Sequence, residues 1–529
     1  MRKFSSYGPV DIRQHYYAPR QALIERAYTQ MVGADPDLGG HYITVWGPRQ
    51  TGKTWIMQQV LWRLQADDRF DVLKINLEHL KLVEDAGRAV RSLAAEIIER
   101  LGLTDVTADS LDELDGVFRR GVLRKPLILI LDEFDALPEA AIAGLASVFR
   151  NVYIRRQDQA HLPSAARDYL LHGVALIGVR AVLGVENPRG SPFNVQRSLR
   201  IPNLTADEVA GMFRWYEQES GQTVEPTVVA QLFYETQGQP GLVSWFGELL
   251  TETYNETTDR PITPEQFAAV YARALSVLPN NTILNIISKA KQEPYQEVVL
   301  ELFQAREQEL FTYDDTRLNF LYLNGVIDRE EEAPDRQVVK FACPFVQKRL
   351  FNYFARTLFR QVGRLYPPFA DLSDTITDES LNVKNLLRRY ETYLQENRTW
   401  LLKEVPRRSD LRVYEAVYHF NLYAYLDQLL LRRHGQVLPE FPTGNGKVDL
   451  LLRYAGRPYA IEVKSYVDEY TYREALRQAA RYAQQLGLAE ITLALFVEAV
   501  NDASRVKYEA VYTDAATGVT VIPTFIATG

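Results

Sequence analysis

Eight residues constrain this chain more than any other feature. Gly47-Pro48-Arg49-Gln50-Thr51-Gly52-Lys53-Thr54 reads G-x-x-x-x-G-K-T, and it lies between an apolar run, Tyr42–Trp46, and a helical pattern, Trp55–Leu64. A strand that leaves through such a loop and re-enters as a helix turns its loop amides toward one point at the helix N-terminus, where the peptide dipoles favour an anion. Gly52 lets the backbone approach closely, Lys53 neutralises charge on β- and γ-phosphates, and the Thr54 hydroxyl can ligate Mg²⁺. All eight positions are candidates for holding the phosphates of ATP. Four apolar runs, His41–Trp46, Val72–Leu77, Leu127–Leu131 and Val174–Val179, alternate with helical stretches and predict a buried parallel sheet around the loop.

The rest of the chain must be divided among further cores, because 529 residues exceed what one core holds and imply roughly three to four domains. The 46% hydrophobic and 24% charged fractions are those of a globular protein. No apolar run approaches the ~20 residues that span a bilayer, and Met1–Gly8 has no apolar core behind its two basic residues, so neither a membrane anchor nor a secretory signal is expected. A single cysteine, Cys343, excludes an internal disulfide and is expected to be buried; the chain is read as cytoplasmic. A formal net charge of −8 argues against coating nucleic acid by bulk charge, although a local basic groove remains compatible with it.

The second half of the phosphate site is Leu127-Ile128-Leu129-Ile130-Leu131-Asp132-Glu133. A buried parallel strand delivers Asp132 to the Mg²⁺ shell at its C-terminal end, and Glu133 is placed to polarise a water for attack on the γ-phosphate. Alone, this run could be a core strand ending in a solvated acidic turn; beside an intact loop the nucleotide reading is preferred. Tyr16-Tyr17-Ala18-Pro19-Arg20, the Gly-Pro-Arg-Gln-Thr-Gly-Lys-Thr loop, Ser191-Pro192-Phe193-Asn194-Val195 and Gly238-Gln239-Pro240-Gly241 occur in that order, and over roughly residues 10 to 250 the chain resembles AAA-like ATPases related to archaeal and signal-transducing (STAND) NTPases. That resemblance implies that Arg180 is the phosphate sensor ending the fourth strand and that Pro240 belongs to the Gly-x-Pro element of the lid. No standard arginine finger is recognisable; Arg155 and Arg156 are candidates, with a solvated helix face as the alternative.

Four blocks follow. Residues 1–195 read as the α/β ATPase core and 196–280 as a helical lid, opened by the capping box of Thr205 and Glu208. Residues 281–366, with a hairpin expected from Leu321–Ile327 and Val338–Ala342, read as a winged helix whose role is more structural than DNA-reading. Residues 367–529 comprise a linker rich in Pro, Asp, Ser and Thr, then a mixed α/β domain.

That last block holds a second constellation. Lys447-Val448-Asp449-Leu450-Leu451-Leu452 and Tyr459-Ala460-Ile461-Glu462-Val463-Lys464 read as adjacent strands joined by a short turn around Gly456-Arg457, which brings Asp449 near Glu462. Glu462 and Lys464 leave one face of their strand. Two carboxylates and the Val463 carbonyl can hold a hard cation through oxygen, and Lys464 beside it can orient or deprotonate a water. An isolated Glu-x-Lys is more often a structural salt bridge. Here it is followed by a helix with Gln478 and Tyr482 one turn apart, and preceded by Tyr414-Glu415-Ala416-Val417-Tyr418-His419, whose Glu415 is a further carboxylate.

Over about residues 405 to 500 these elements resemble the PD-(D/E)xK nuclease superfamily, in particular members with a Q-x-x-x-Y helix found in prokaryotic ATPase–nuclease fusions. The resemblance implies metal ligation by Asp449 and Glu462 with support from Glu415, catalysis by Lys464, and positioning by Gln478 and Tyr482; Gly446-Lys447-Val448 departs from the usual Gly-Arg before the aspartate. Arg388, Arg389, Lys403, Arg407, Arg408, Arg412, Arg432 and Arg433 could line a phosphate-tracking groove or be solvated helix faces. His419 is read as a support of the Glu415 helix. The expected activity is ATP-dependent or ATP-regulated hydrolysis of nucleic-acid phosphodiesters, DNA above all, with Mg²⁺ or Mn²⁺, in a homo-oligomer on ATP binding and in defence against foreign DNA. The alternative is a nucleotide-switched signalling or scaffold ATPase whose nuclease-like domain binds nucleic acid without cutting.

Overall fold

The computed structural model describes residues 1–178, 197–303, 309–408, 413–439, 449–466 and 468–529. Arg180, Ser191–Val195, Arg412 and Gly446-Lys447-Val448 lie outside the described residues. The chain forms two compact units: Met1–Ala272 with Asn280–Thr282 and Phe311–Asp328, and Arg273–Pro279 with Ile283–Leu310 and Arg329–Gly529.

In the first unit, β1 (Tyr42–Trp46), β2 (Asp71–Asn76), β3 (Leu127–Asp132), β4 (Leu171–Gly178) and β5 (Arg197–Arg200) form a sheet in the order β2-β3-β4-β1-β5, with every described pairing parallel. Every residue of β1, β3 and β4 is buried, as a sheet covered on both faces requires. The strands divide by parity. Leu127, Leu129 and Leu131 pack with the helices Ala86–Arg100 and Glu139–Asp158, whereas Ile128 and Ile130 pack with Gln21–Val32 and Lys53–Gln65. Each such side chain contributes roughly 1.5–3 kcal/mol by leaving water, which is why an uninterrupted apolar run fixes the central strand. The edge strand β5 was not expected from sequence: only Leu199 of its four residues is buried, so it carries no apolar run to read. The helices Ala206–Ser220, Pro226–Thr236 and Pro240–Glu248 follow, the first opening with the expected capping box of Thr205 and Glu208.

Over residues 316–341 the chain departs from the expected hairpin. Leu321–Leu323 belong to a helix, Thr316–Leu323, because Asp315 caps its first amides and Leu318, Leu321 and Tyr322 recur at helical spacing. After Gly325, at φ +72°, the pairing strands are β6 (Ile327–Ala333) and β7 (Arg336–Phe341). Cys343 is buried at the start of the helix Pro344–Leu358.

The second unit is built on β8 (Gln436–Pro439), β9 (Leu450–Tyr454), β10 (Arg457–Ser465), β11 (Glu490–Val497), β12 (Tyr512–Thr513) and β13 (Thr520–Ala527), ordered β12-β13-β11-β10-β9-β8. The meander β8-β9-β10 is antiparallel, and β10-β11-β13 run parallel. Around it the chain order is helix Glu415–Leu431, meander, helix Glu469–Gln485, then β11. Ala460, Leu493 and Leu495 pack with Ala479 and Ala483 of the helix Glu469–Gln485 on one face. On the other, Phe496 meets the rings of Tyr390 and Tyr418. Ala455 and Gly456 join β9 to β10 with φ of +47° and +73°, the two left-handed positions of a tight two-residue hairpin.

Candidate functional site

The glycine-rich loop leaves β1 and turns at two left-handed residues, Gln50 at φ +59° and Gly52 at φ +89°; Gly52 caps the helix Lys53–Gln65. Lys53 is 8% exposed, and its ammonium donates to the carbonyls of Gly47 (2.8 Å) and Pro48 (2.9 Å), while the Thr51 hydroxyl donates to Pro48 O at 2.9 Å. Burial lowers the Lys53 pKa to about 8, against the opposing pull of Glu133, Asp135 and Asp132. A bound phosphate would add the anion that this buried ammonium lacks. Arg49 and Gln50 also meet residues of later segments. Gln239 donates to Arg49 O at 3.1 Å, the Thr282 hydroxyl bonds Gln50 Oε1, and a Cβ at Gly241 would fall 2.4 Å from that same oxygen. The Gly-x-Pro element therefore lies directly against the loop.

The Thr54 hydroxyl donates to Asp132 Oδ1 at 3.3 Å, and Asp132 is 1% exposed at the end of β3. Its second oxygen, Oδ2, is buried without a hydrogen bond and faces the ammonium of Lys74 at 3.2 Å. A hydroxyl and a carboxylate side by side are the hard oxygen donors that Mg²⁺ takes, so the residues fit the metal. Glu133 follows in the left-handed region at φ +55°. Burial first, and then the Asp135 charge, hold its carboxyl above the ordinary range, with Lys53 opposing. A carboxyl shifted in that direction is a better acceptor of a proton from water.

The second constellation lies within the second unit. The β9–β10 ladder ends with Leu450 opposite Ile461, which sets Asp449 opposite Glu462 one step further, with both side chains on one face. Asp449 Oδ2 accepts from the Val463 amide at 2.7 Å, so the backbone of β10 holds the carboxylate in place. Glu462 is 1% exposed; its Oε1 lies 2.8 Å from the Lys464 ammonium, and its Oε2 is buried with no hydrogen-bond partner. Glu462 pairs with Leu493 of β11, whose side chain packs against the helix Glu469–Gln485, so the face carrying Asp449, Glu462 and Lys464 is also the face toward Gln478 and Tyr482. Gln478 donates to the Tyr482 hydroxyl.

Charges at this site are mutually dependent. Burial, and then the neighbouring Asp449, push the Glu462 carboxyl well above its ordinary value, and Lys464 only partly offsets them. Burial likewise raises Asp449, opposed by Lys464 and the Val463 amide. For Lys464, burial acts against the ammonium, but Glu462 and Asp449 outweigh it and raise the pKa. Burial raises the Tyr482 pKa, and the hydrogen bond from Gln478 opposes it. Two neighbouring carboxylates, one of them buried, share one ammonium and keep a net negative charge that a divalent cation would offset. Among the described residues no group of three or more His, Cys, Asp and Glu side chains is gathered for a metal. Glu415, at the start of its helix, does not complete a three-carboxylate cluster with Asp449 and Glu462; those two are aligned by their hairpin, whereas Glu415 belongs to a separate element. His419 is half-buried and stacks on Phe496, its Nε2 is buried and unpartnered, and desolvation, then Lys464, lower its pKa to about 3.

Residues 5–261 match the model of a family described as an AAA-like domain. They form an AAA-like P-loop ATPase domain. None of the curated proteins matches the sequence. Among solved structures, the chain is similar to Aeropyrum pernix Orc1 in complex with DNA (19% identity, 63% of this chain and 92% of that one, TM-score 0.33). It is also similar to a Walker-type ATPase of Pyrococcus abyssi (12%, 66% and 99%, TM-score 0.42) and to the RuvB Holliday junction branch migration motor of Thermotoga maritima (13%, 61% and 92%, TM-score 0.34). At these identities and scores, none of the three bears on what this chain binds.

Within the AAA-like domain, Arg156 is buried, donating to Tyr169 O and to Ser164 Oγ at 2.8 Å, so it cannot reach another molecule as a finger. Arg155 bonds the Tyr169 hydroxyl and lies 3.5 Å from Asp115. In the second unit, Arg388 is held by Glu509 and Glu391, and Arg389 by Asp374 and Thr375, which removes both from a phosphate-tracking groove. Arg407 donates to Leu402 O at 3.1 Å, whereas Lys403, Arg408 and Arg432 are exposed. Sequence reasoning missed Lys74: a lysine inside a short strand carries no signal until the β2–β3 register sets it beside Asp132. No helix among the described residues is long and apolar enough to cross a membrane.

Proposed function

We propose that this chain is an ATP-dependent or ATP-regulated nuclease in which an AAA-like ATPase domain is fused to a PD-(D/E)xK-type phosphodiesterase, with a lid, winged helix and nuclease over residues 196–280, 281–366 and 367–529. The carrying observation is the shared face of Asp449, Glu462 and Lys464, with a buried Glu462 oxygen that has no hydrogen-bond partner. The succession of helix Glu415–Leu431, antiparallel meander, helix Glu469–Gln485 and parallel β11 supports the same reading. Asp449 and Glu462 would hold Mg²⁺ or Mn²⁺, which supplies Lewis-acid activation of a phosphate. Lys464 holds a proton beside the carboxylates and is placed to orient water and offset charge on phosphorus. Tyr482, hydrogen-bonded by Gln478, belongs to the helix packed on the same face of the sheet. Nucleic acid is the substrate class that uses this chemistry, with DNA the expected form and a homo-oligomer the expected state on ATP binding.

At the ATPase, Gly47 to Thr54 would bind ATP, with Thr54 and Asp132 on Mg²⁺, Glu133 on the attacking water and Arg180 sensing phosphate. The closed 2.8 Å Glu462–Lys464 pair also fits the other reading, a nucleotide-switched scaffold that binds nucleic acid without cutting. One experiment separates them. Supercoiled plasmid and single-stranded DNA are incubated with the full chain and Mn²⁺, with and without ATP, beside Asp449→Ala and Lys53→Ala. Metal-dependent cleavage lost in Asp449→Ala supports the nuclease; ATP turnover with no cleavage under any condition supports the scaffold.

A further inference from the structure

Lys74 stands beside the carboxylate that the proposed function assigns to Mg²⁺, and the inference rests on that reading. The lysine lies on β2, whose parallel register with β3 pairs Lys74 with Ile130 and Asn76 with Asp132. Lys74 and Asn76 share a face, so the lysine starts two residues below Asp132 on the Asp132 side, and its long stem runs up toward the carboxylate. Its ammonium ends 3.2 Å from Asp132 Oδ2 and 3.3 Å from Gln58 Oε1, the latter on the helix that follows the loop. The Asp132 side chain is 2% exposed and that of Lys74 15%. The two carboxylate oxygens are thus divided: Oδ1 toward Thr54, Oδ2 toward Lys74.

We propose that Lys74 is a built-in counter-cation of the Mg²⁺ site, a positioning residue that holds the Asp132 carboxylate turned toward Thr54 before the nucleotide arrives and weakens the site's hold on the metal. A nearly buried carboxylate with no cation is costly, and Lys74 removes that cost in the metal-free state. A metal held by Asp132 would share that carboxylate with the ammonium, and the two positive charges would repel each other at any dielectric a protein offers. Mg²⁺ is then held only when nucleotide phosphates contribute the remaining charge, so the site discriminates metal–nucleotide from free metal. A merely structural ion pair would alter stability and leave metal dependence alone.

The test is binding of a fluorescent mant-ATP to the full chain, first in EDTA and then across a Mg²⁺ titration. In Lys74→Met the metal-free affinity is expected to stay within about twofold of wild type, while the Mg²⁺ concentration at half-effect falls at least about tenfold. Lys74→Arg, which keeps the charge, is expected to retain the wild-type midpoint. An unchanged or raised midpoint in folded Lys74→Met overturns the proposal. If that variant does not fold, wild type decides: the lysine ¹⁵N ammonium signal that disappears in Lys74→Arg is expected to shift when Mg²⁺ joins the ATP-bound chain, and a signal that does not move overturns it equally.

Discussion

Replacing Lys464 by methionine tests the electrostatics of the carboxylate pair most directly. The substitution keeps the length of the stem and removes the ammonium 2.8 Å from Glu462 Oε1, leaving two carboxylates on one face, one of them 1% exposed. They cannot both stay ionised there, so the native state takes up a proton instead. A carboxyl of ordinary pKa 4.5 is protonated at pH 7 for about 3.4 kcal/mol, from 1.36 kcal/mol for each pH unit, and at pH 5 for about 0.7 kcal/mol. These are upper limits on the extra destabilisation, because burial already raises Glu462 in the wild type. The sign follows from the direction. With a folded pKa above the unfolded one, the native state holds a proton that the unfolded chain has released, so stability is greatest below pH 4.5 and falls as pH rises to the folded value. Urea titrations read by hydrogen exchange in peptides of β10 and the helix Glu469–Gln485 report this unit without the ATPase. Lys464→Met is expected to be less stable than wild type by up to about 3 kcal/mol at pH 7, by under about 1 kcal/mol at pH 5, and to regain about 2.7 kcal/mol with Mn²⁺ at a hundred times its Kd. A deficit equal at both pH values and indifferent to Mn²⁺ would refute the convergence of the three side chains on one cation.

Lys53→Ala is expected to weaken mant-ATP binding at least about tenfold by removing a charge-assisted contact, with the Mn²⁺ response of β10 unchanged in hydrogen exchange. Tyr482→Phe removes the hydroxyl that Gln478 holds; plasmid cleavage is expected to fall about three- to tenfold while the Mn²⁺ midpoint stays put, which steady-state rates across a metal titration will check. Arg156→Ala strips buried donors from Tyr169 O and Ser164 and is expected to cost about 3 kcal/mol or more, whereas Arg155→Ala, at a half-exposed ion pair, costs under about 1 kcal/mol; differential scanning calorimetry ranks the two.

The parts legible from sequence were those set by short-range geometry. The loop from Gly47 to Thr54 announces itself because strand, glycine turn and helix are contiguous, and the two faces of β3 follow from alternation alone. Glu462 and Lys464 share a face by parity, and the short turn carries Asp449 opposite Glu462. What stayed hidden depends on partners far along the chain. Arg388 is a free base in the sequence and a partner of Glu509 in the fold, 121 residues later. Arg156 sits in a helix with other polar residues, and only the closure of Tyr169 and Ser164 over it makes it internal. Leu321–Leu323 looked like a strand because a three-residue apolar cluster has no period; the Asp315 cap decided otherwise.

The hairpin of Ala455 and Gly456 lies well away from Glu462 along β10, yet it governs which atoms meet there. Because both turn residues sit at positive φ, the loop tolerates two residues and no third without changing its type. One inserted amino acid would slide β9 against β10 by a single position and send Asp449 to the opposite side of the sheet, leaving every named residue present and the chemistry dismantled. Length variation at this bend is therefore a more sensitive indicator of whether a related chain retains the constellation than the identities of the acids and the lysine themselves.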